Sequence, residues 1–254
     1  MPFTPAHTVA VFPFVKSRKM CATALIAGSM SPDFEYFIRM DVTGAWGHNL
    51  SGIVFFDLPM TLAMVVVFHL AVKHRLIDNL PPFFQRRFAH LKTITIRQDI
   101  LERPATSVAC ACAGALTHVV WDGFTHRDGF FVQELTGIYD GAYVPYGGVN
   151  YPLWYSLQYI SSIVGMCIVT AYILLMKPVS TQTFRPRLGY WIWLMIIMSS
   201  VVAVRFQFPY RPGDDMWIIS VISGLCVGMI VLGVLYRPPS PEQGGKGPEE
   251  VNAS

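Results

Sequence analysis

The sequence predicts an all-α integral membrane bundle, and three observations carry that prediction. Of 254 residues, 53% are hydrophobic and only 14% charged, against about a quarter charged in an ordinary soluble domain. Three segments, 153–176, 188–204 and 216–235, contain no charged side chain, and a bilayer core takes about 20 consecutive apolar helical residues. Lysines and arginines are dense in alternate loops and sparse in those between, the pattern the positive-inside rule imposes on a multi-span chain.

Each element follows in order. Residues 5–15 and 20–31 are apolar, but as helix each is about 16–18 Å long, so neither spans alone. They are expected as a half-inserted or packed helical region. Ser51–Val72 and Ala105–Phe124 are long enough to span yet carry ionisable groups, Asp57 and His69 in the first, His118 and Asp122 in the second. Leu153–Met176 spans freely. Leu188–Val204 is shorter, with Trp191, Trp193, Arg187 and Arg205 suited to interfacial anchoring. Met216–Leu235 contains Gly224-xxx-Gly228, a spacing that allows close helix packing. The expectation is about five full spans in a single membrane-embedded domain, 1–236. Residues 237–254, rich in Pro, Gly and Glu, read as a disordered tail.

The loop 73–104 holds seven basic residues, 177–187 three, the tail two, and Lys16, Arg18 and Lys19 add three; the alternate loops hold four of the nineteen in all. Loop 73–104 and the C-terminal tail are therefore expected in the cytoplasm, with 31–50 and 125–152 outside. In a bacterium this is a multi-pass protein of the inner membrane. Membrane lipid is the expected partner of the basic loop, and nucleic acid is not. Five cysteines lie in apolar stretches without a CxxC pair, so they read as small buried hydrophobes. No tidy signal peptide opens the chain. No GxSxG, Walker-type loop, GxGxxG or HExxH is present, and 28–32 reads GSMSP.

Ionisable groups inside spans are costly and need a partner or a purpose. His118, Asp122 and His126 stand at i, i+4 and i+8, on one helix face unless Gly123 ends the helix first. Such a His-xxx-Asp pair can offer a nitrogen and an oxygen to one metal ion; the blander reading is a hydrogen bond within a bundle. Ser31-Pro32-Asp33-Phe34-Glu35 puts carboxylates just after an apolar helix, and Gly47-His48-Asn49 precedes the 51–72 span. The charge count brings Asp33, His48 and the 122–126 end to one outer face, although singly Asp33 reads as a turn carboxylate and His48 as interfacial. Thr4-Pro5 resembles an N-cap followed by proline, which puts His7 in a first helical turn, where a neutral imidazole is favoured. Asp57 could orient a liganding histidine or serve a proline kink with Pro59. His69, His74 and His90 read as solvated or interfacial.

Several of these motifs also carry a family likeness. MPFTPAH, GSMSPDFEYF, GHNLSG with FFDLP, and THVVWDGFTH together resemble the bacterial membrane-protein family termed domain-of-unknown-function family 4184, over most of the first 150 residues and more loosely beyond. A more distant likeness is to YdjM-type membrane-bound metal-dependent hydrolases, similar in turn to zinc-dependent phospholipase C. That likeness rests on His7, Pro32-Asp33, His48 and His118-xxx-Asp122. Two departures stand out: Glu35-Tyr36 replaces a second Asp-His, and His48 stands alone where a pair of histidines is expected.

Two functions remain open on the sequence. One is a metal-dependent hydrolase at the outer face, acting on a lipid or phosphoester. Its metal ligands would be His7, Asp33, His48, His118, Asp122 and His126, with zinc as the expected divalent metal. Glu35 or Asp122 would steer a metal-activated water, and His126 would serve as ligand or acid. The other is a non-enzymatic scaffold or small transporter with a buried His/Asp network. A purely structural metal with closed coordination is a third reading.

Overall fold

The computed structural model describes residues 3–181, 185–208 and 214–236; the expected disordered tail, 237–254, lies outside them. Five helical segments are long and apolar enough to cross a membrane: Leu50–Asn79, Pro104–Glu134, Leu153–Leu175, Leu188–Arg205 and Asp215–Leu235. They fall where the charge-free and lightly charged runs of the sequence predict them. The chain is a mostly helical multi-pass membrane protein.

The first 49 residues are a packed annex. Thr4–Val11 is a 3₁₀ helix, set against the 153–175 and 104–125 helices. Thr4 is not its cap: the residue before it, Phe3, occupies that place without a side-chain bond, and the Thr4 hydroxyl donates to Asp33 Oδ2 instead. Helix α1, Ala22–Gly28, is too short to span and lies along the 104–125 helix. The crossing is close because a Cβ on Gly28 would sit 2.4 Å from the Ala111 carbonyl oxygen, and one on Gly114 2.4 Å from that of Leu25. A 3₁₀ turn at Ser31–Asp33, with Pro32 in its first positions, leads into α2, Phe34–Arg39.

Helix α3, Leu50–Asn79, starts at Asn49, whose side chain accepts the Gly52 N–H. It contains two wider, π-type turns, Ile53–Asp57 and Phe68–Val72. Each carries a buried polar side chain, Asp57 in the first and His69 in the second, consistent with the tendency of such bulges to mark special sites. Helix α4, Pro104–Thr125, is the spine of the bundle. Gly123 does not end it; the helix runs through Thr125, and His126 is its C-cap in extended conformation.

An excursion between spans follows, with short helical turns at Phe130–Glu134 and Thr136–Tyr139. An antiparallel hairpin then pairs β1, Tyr143–Tyr146, with β2, Val149–Pro152. Helix α5, Leu153–Leu175, fully buries only Gly165, which packs against Ala6; its opposite face, with Ile160, Ile163 and Val164, is exposed and left for lipid. The last pair, α6 (Leu188–Arg205) and α7 (Asp214–Leu235), pack on one another. Gly224 and Gly228 face Met198 and Leu194 across that contact, as the Gly-xxx-Gly spacing predicts.

All five cysteines are free; Cys21 and Cys110 are buried, Cys112 and Cys226 half-buried and Cys167 exposed. The uniform burial expected of them therefore holds for two. Cys167 faces outward on α5, where lipid is the apolar surround.

A cluster of buried polar atoms at one end of the bundle

Three segments deliver four polar side chains to one place. Asp33 comes from the 3₁₀ turn after α1, His48 from the loop before α3, and His118 and Asp122 from successive turns of α4. These four are close enough to hold one metal ion, with a ligand atom of each within 4.8 Å of every other. Asp33 and His118 are fully buried and Asp122 is 6% exposed. The co-location expected from charge counting and helical spacing is present.

Each ring is turned by its second nitrogen. His118 Nδ1–H donates to the Ser29 carbonyl at 2.8 Å, which leaves the Nε2 lone pair facing the cluster. His48 Nδ1 lies 3.5 Å from the Tyr36 hydroxyl, again leaving Nε2 inward. Asp33 receives the Thr4 hydroxyl on Oδ2, so Oδ1 is the oxygen presented. Liganding histidines are held by a partner on the opposite nitrogen in just this way.

The inward atoms form a frame. His48 Nε2 lies 3.4 Å from both Asp33 Oδ1 and Asp122 Oδ2. His118 Nε2 lies 3.5 Å from Asp33 Oδ1 and 3.4 Å from Asp122 Oδ2. Charge-assisted hydrogen bonds between such groups run at about 2.7–2.9 Å, so these four separations are too long for a collapsed ion-pair network. They run round the ring His48–Asp33–His118–Asp122 at the spacing of neighbouring donors on one ion bound at about 2.1 Å, the range of Zn–N and Zn–O bonds. Accordingly, Asp33 Oδ1, His48 Nε2, His118 Nε2 and both Asp122 oxygens are buried with no hydrogen-bond partner among the described residues.

His7 and His126 gather on the other side of Asp122. His7 Nε2 is 3.6 Å and His126 Nδ1 3.4 Å from Asp122 Oδ1. The His7 ring stacks on His118 with centroids 3.8 Å apart, and His126 Nε2 meets the Gln158 amide at 2.9 Å. A small opening between these groups is lined by His7, Trp121, Asp122, Thr125, His126 and Gln158, among others. Two of the six expected ligands thus lie outside the four-atom frame, His126 beside Asp122 and His7 between Asp122 and the His118 ring.

Burial, and next the neighbouring His118, push the His7 imidazole down to about 3. For His48, burial opposes the charge, but the facing Asp122 and Asp33 carboxylates outweigh it and lift the ring up to about 8. Burial also works against the charge on Asp33, yet the His118 and His48 imidazoles hold it well below the usual carboxylate range.

Glu35 has its oxygens occupied elsewhere. They accept the backbone N–H groups of Ala45, Trp46 and Gly47 at 2.8, 2.8 and 3.0 Å, with the Arg39 guanidinium at 3.5 Å. Asp57 is fully buried, and neither of its oxygens has a partner among the described residues; it does not bond either histidine of the frame.

A second polar cluster, unread in the sequence, lies toward the opposite end of α3 and α4. His69 is not solvated: it is 8% exposed and its Nε2 lies 3.0 Å from Asp99 Oδ2. Lys73, buried beside it, donates to His69 Nδ1 at 3.0 Å and to the Ile94 carbonyl. The Cys21 thiol and the Ser107 hydroxyl donate to Asp99 at 3.2 and 3.1 Å. Here every group has found its partner at hydrogen-bonding distance. The two clusters sit in one bundle and only this one has closed on itself.

The sequence profile of a domain of unknown function, DUF4184, matches residues 1–236. The chain belongs to the DUF4184 family. That match runs from the 3₁₀ helix through α7 and so takes in every residue of the four-atom frame. No curated protein and no solved structure matches this DUF4184 chain.

Proposed function

We propose that this DUF4184 protein is a membrane-embedded metal-dependent hydrolase with its site at the outer face of a bacterial inner membrane. The observation that carries the reading is the four-atom frame of Asp33, His48, His118 and Asp122, buried, unpartnered and spaced as ligands are. Two imidazoles and two carboxylates suit zinc or a similar transition ion better than calcium or magnesium, which prefer all-oxygen shells. Bound there, a divalent cation supplies Lewis acidity toward a water and toward a phosphoryl or carbonyl oxygen.

The chain's own groups are arranged for the rest. His118 and Asp122 are held by the rigid α4 and Asp33 by the Thr4 hydroxyl, so little reorganisation is needed on binding. Asp122 serves the frame with Oδ2, and its Oδ1 faces His7 and His126. His126, half-buried beside Gln158 at the opening, is placed to move a proton on or off a substrate oxygen. His7, kept neutral by burial, lines the opening as an uncharged imidazole. The lipid or phosphoester class rests on the distant hydrolase likeness and on the position of the opening beside α5, whose surface faces lipid. The cytoplasmic C-terminal tail and outer site follow from the fifteen-to-four partition of basic residues.

The test is elemental analysis of the detergent-purified protein beside His118→Ala and Asp33→Ala. About one or two equivalents of zinc, manganese or iron in the parent, lost in both variants while they remain folded, is the expected result and warrants a phosphoester substrate screen. Undiminished metal in both variants would overturn the site. Absence of metal from the parent after metal-replete purification would favour the scaffold or transporter reading.

A further inference from the structure

Of the four frame residues, His48 is the one carried by a loop. His118 and Asp122 share a helix, and Asp33 closes a 3₁₀ turn in which every residue is buried. His48 is also the most exposed of the set, at 22% of its side chain. A loop ligand costs conformational entropy on binding unless the loop is already fixed, and the residues before it are fixed in an unusual way.

Three consecutive N–H groups, those of Ala45, Trp46 and Gly47, converge on the Glu35 carboxylate, which is itself 1% exposed. On the far side, Asn49 accepts the Gly52 N–H and bonds the Trp46 carbonyl. His48 is the single residue between these two fastenings. Gly47 is also pressed against the other ligand-bearing turn: a Cβ there would lie 2.8 Å from the Pro32 carbonyl oxygen and 3.2 Å from Asp57 Oδ1. One buried carboxylate therefore sets the loop that carries His48 against the turn that carries Asp33.

We infer that Glu35 is a positioning residue for His48, holding the 45–47 backbone so that the imidazole is in its liganding place before any metal arrives. The inference rests on the metal-site reading above and assigns Glu35 no contact with substrate. It departs from a general-base role, for which a carboxylate needs an oxygen free to take a proton; both oxygens of Glu35 are held by backbone donors. In Glu35→Gln the negative acceptor is lost and one amide N–H is turned toward the backbone N–H row, which releases the loop.

The experiment is a competition titration with zinc and with cobalt(II) on the full chain in detergent. It compares the parent, Glu35→Gln, His48→Ala and the double variant, with thermal unfolding to establish folding. Outer partners of ligands commonly account for 10–100-fold in metal affinity, and Glu35→Gln is expected to weaken binding by about that factor. Its cobalt(II) visible spectrum should shift toward that of His48→Ala. In the His48→Ala background the same change should cost less than about twofold, because Glu35 acts through the missing ring.

Parent-like affinity and spectrum in Glu35→Gln would overturn the inference, as would a loss that repeats in full in the His48→Ala background. A parent that takes up no metal would instead overturn the metal reading itself. Unaltered metal binding with abolished turnover would return Glu35 to the role of base. Should Glu35→Gln fail to fold, Glu35→Asp, which keeps the charge but draws it back by one methylene, is read by the same criteria.

Discussion

Asp33→Asn separates a metal site from a polar network more sharply than any other single change. The side chain keeps its shape and its Thr4 contact while the oxygen facing His48 and His118 loses its charge. If the frame holds a metal, the folded protein is stabilised by ligand linkage, about 2.7 kcal/mol when free metal is at a hundredfold excess over Kd. For a chain of this size about 2–4 °C accompanies each kcal/mol, so chelation should lower the parent's melting temperature by about 5–11 °C. Asp33→Asn should start near the chelated parent and not respond to chelator. A polar network makes the opposite prediction. Losing one partner of a buried ion cluster would cost about 3–5 kcal/mol, with or without chelator. The assay is thermal unfolding in detergent by intrinsic fluorescence, with EDTA and after zinc repletion. A chelator-independent loss in the variant, together with a parent indifferent to EDTA, would refute the reasoning.

Three further predictions test the surroundings. Since His48 titrates at about 8 without metal, it carries a proton at neutral pH that must leave on binding. Apparent affinity should then fall about tenfold per pH unit below that value and level off above it; calorimetry showing no proton release at pH 7 would contradict this. Asp57→Leu removes a buried carboxyl that has no partner among the described residues, and stability should hold or rise by about 1–3 kcal/mol; a large loss in thermal unfolding would mean that Asp57 has a partner in the native protein. Lys73→Met leaves Asp99 without the charge that balances it through His69. This should cost about 3–5 kcal/mol with metal content unchanged, and a loss of metal would tie the two clusters together.

The spans were legible because a bilayer imposes a length and a composition that any long apolar run displays. The pairing of His118 with Asp122 was legible for the same kind of reason, since helical spacing is local. Asp33 and His48 were reached less directly, through a charge count that put both at one face. The second cluster was not legible. His69, Lys73, Asp99, Cys21 and Ser107 meet only after α1, α3 and α4 pack, and nothing in local spacing announces it. Thr4 looked like a cap because Thr-Pro commonly is one, yet its hydroxyl is taken by Asp33, 29 positions on. Glu35 drew attention as a carboxylate beside a candidate ligand. That its oxygens meet backbone donors 10 to 12 residues away follows from the fold of the loop, which side-chain identity does not encode.

The packed annex has a consequence for how the molecule is made. Thr4–Val11, α1 and the turn at Asp33 rest on α4, whose His118 is synthesised 70 residues after His48. At about 5–20 residues per second, His48 is made roughly 4–14 seconds before His118 exists, and Asp33 and His7 earlier still. In that interval a run of chain too short to cross the bilayer waits with three of its polar groups unmatched. Assembly of the cluster is therefore a late docking event, in which an N-terminal segment made first closes onto a helix that arrives after it.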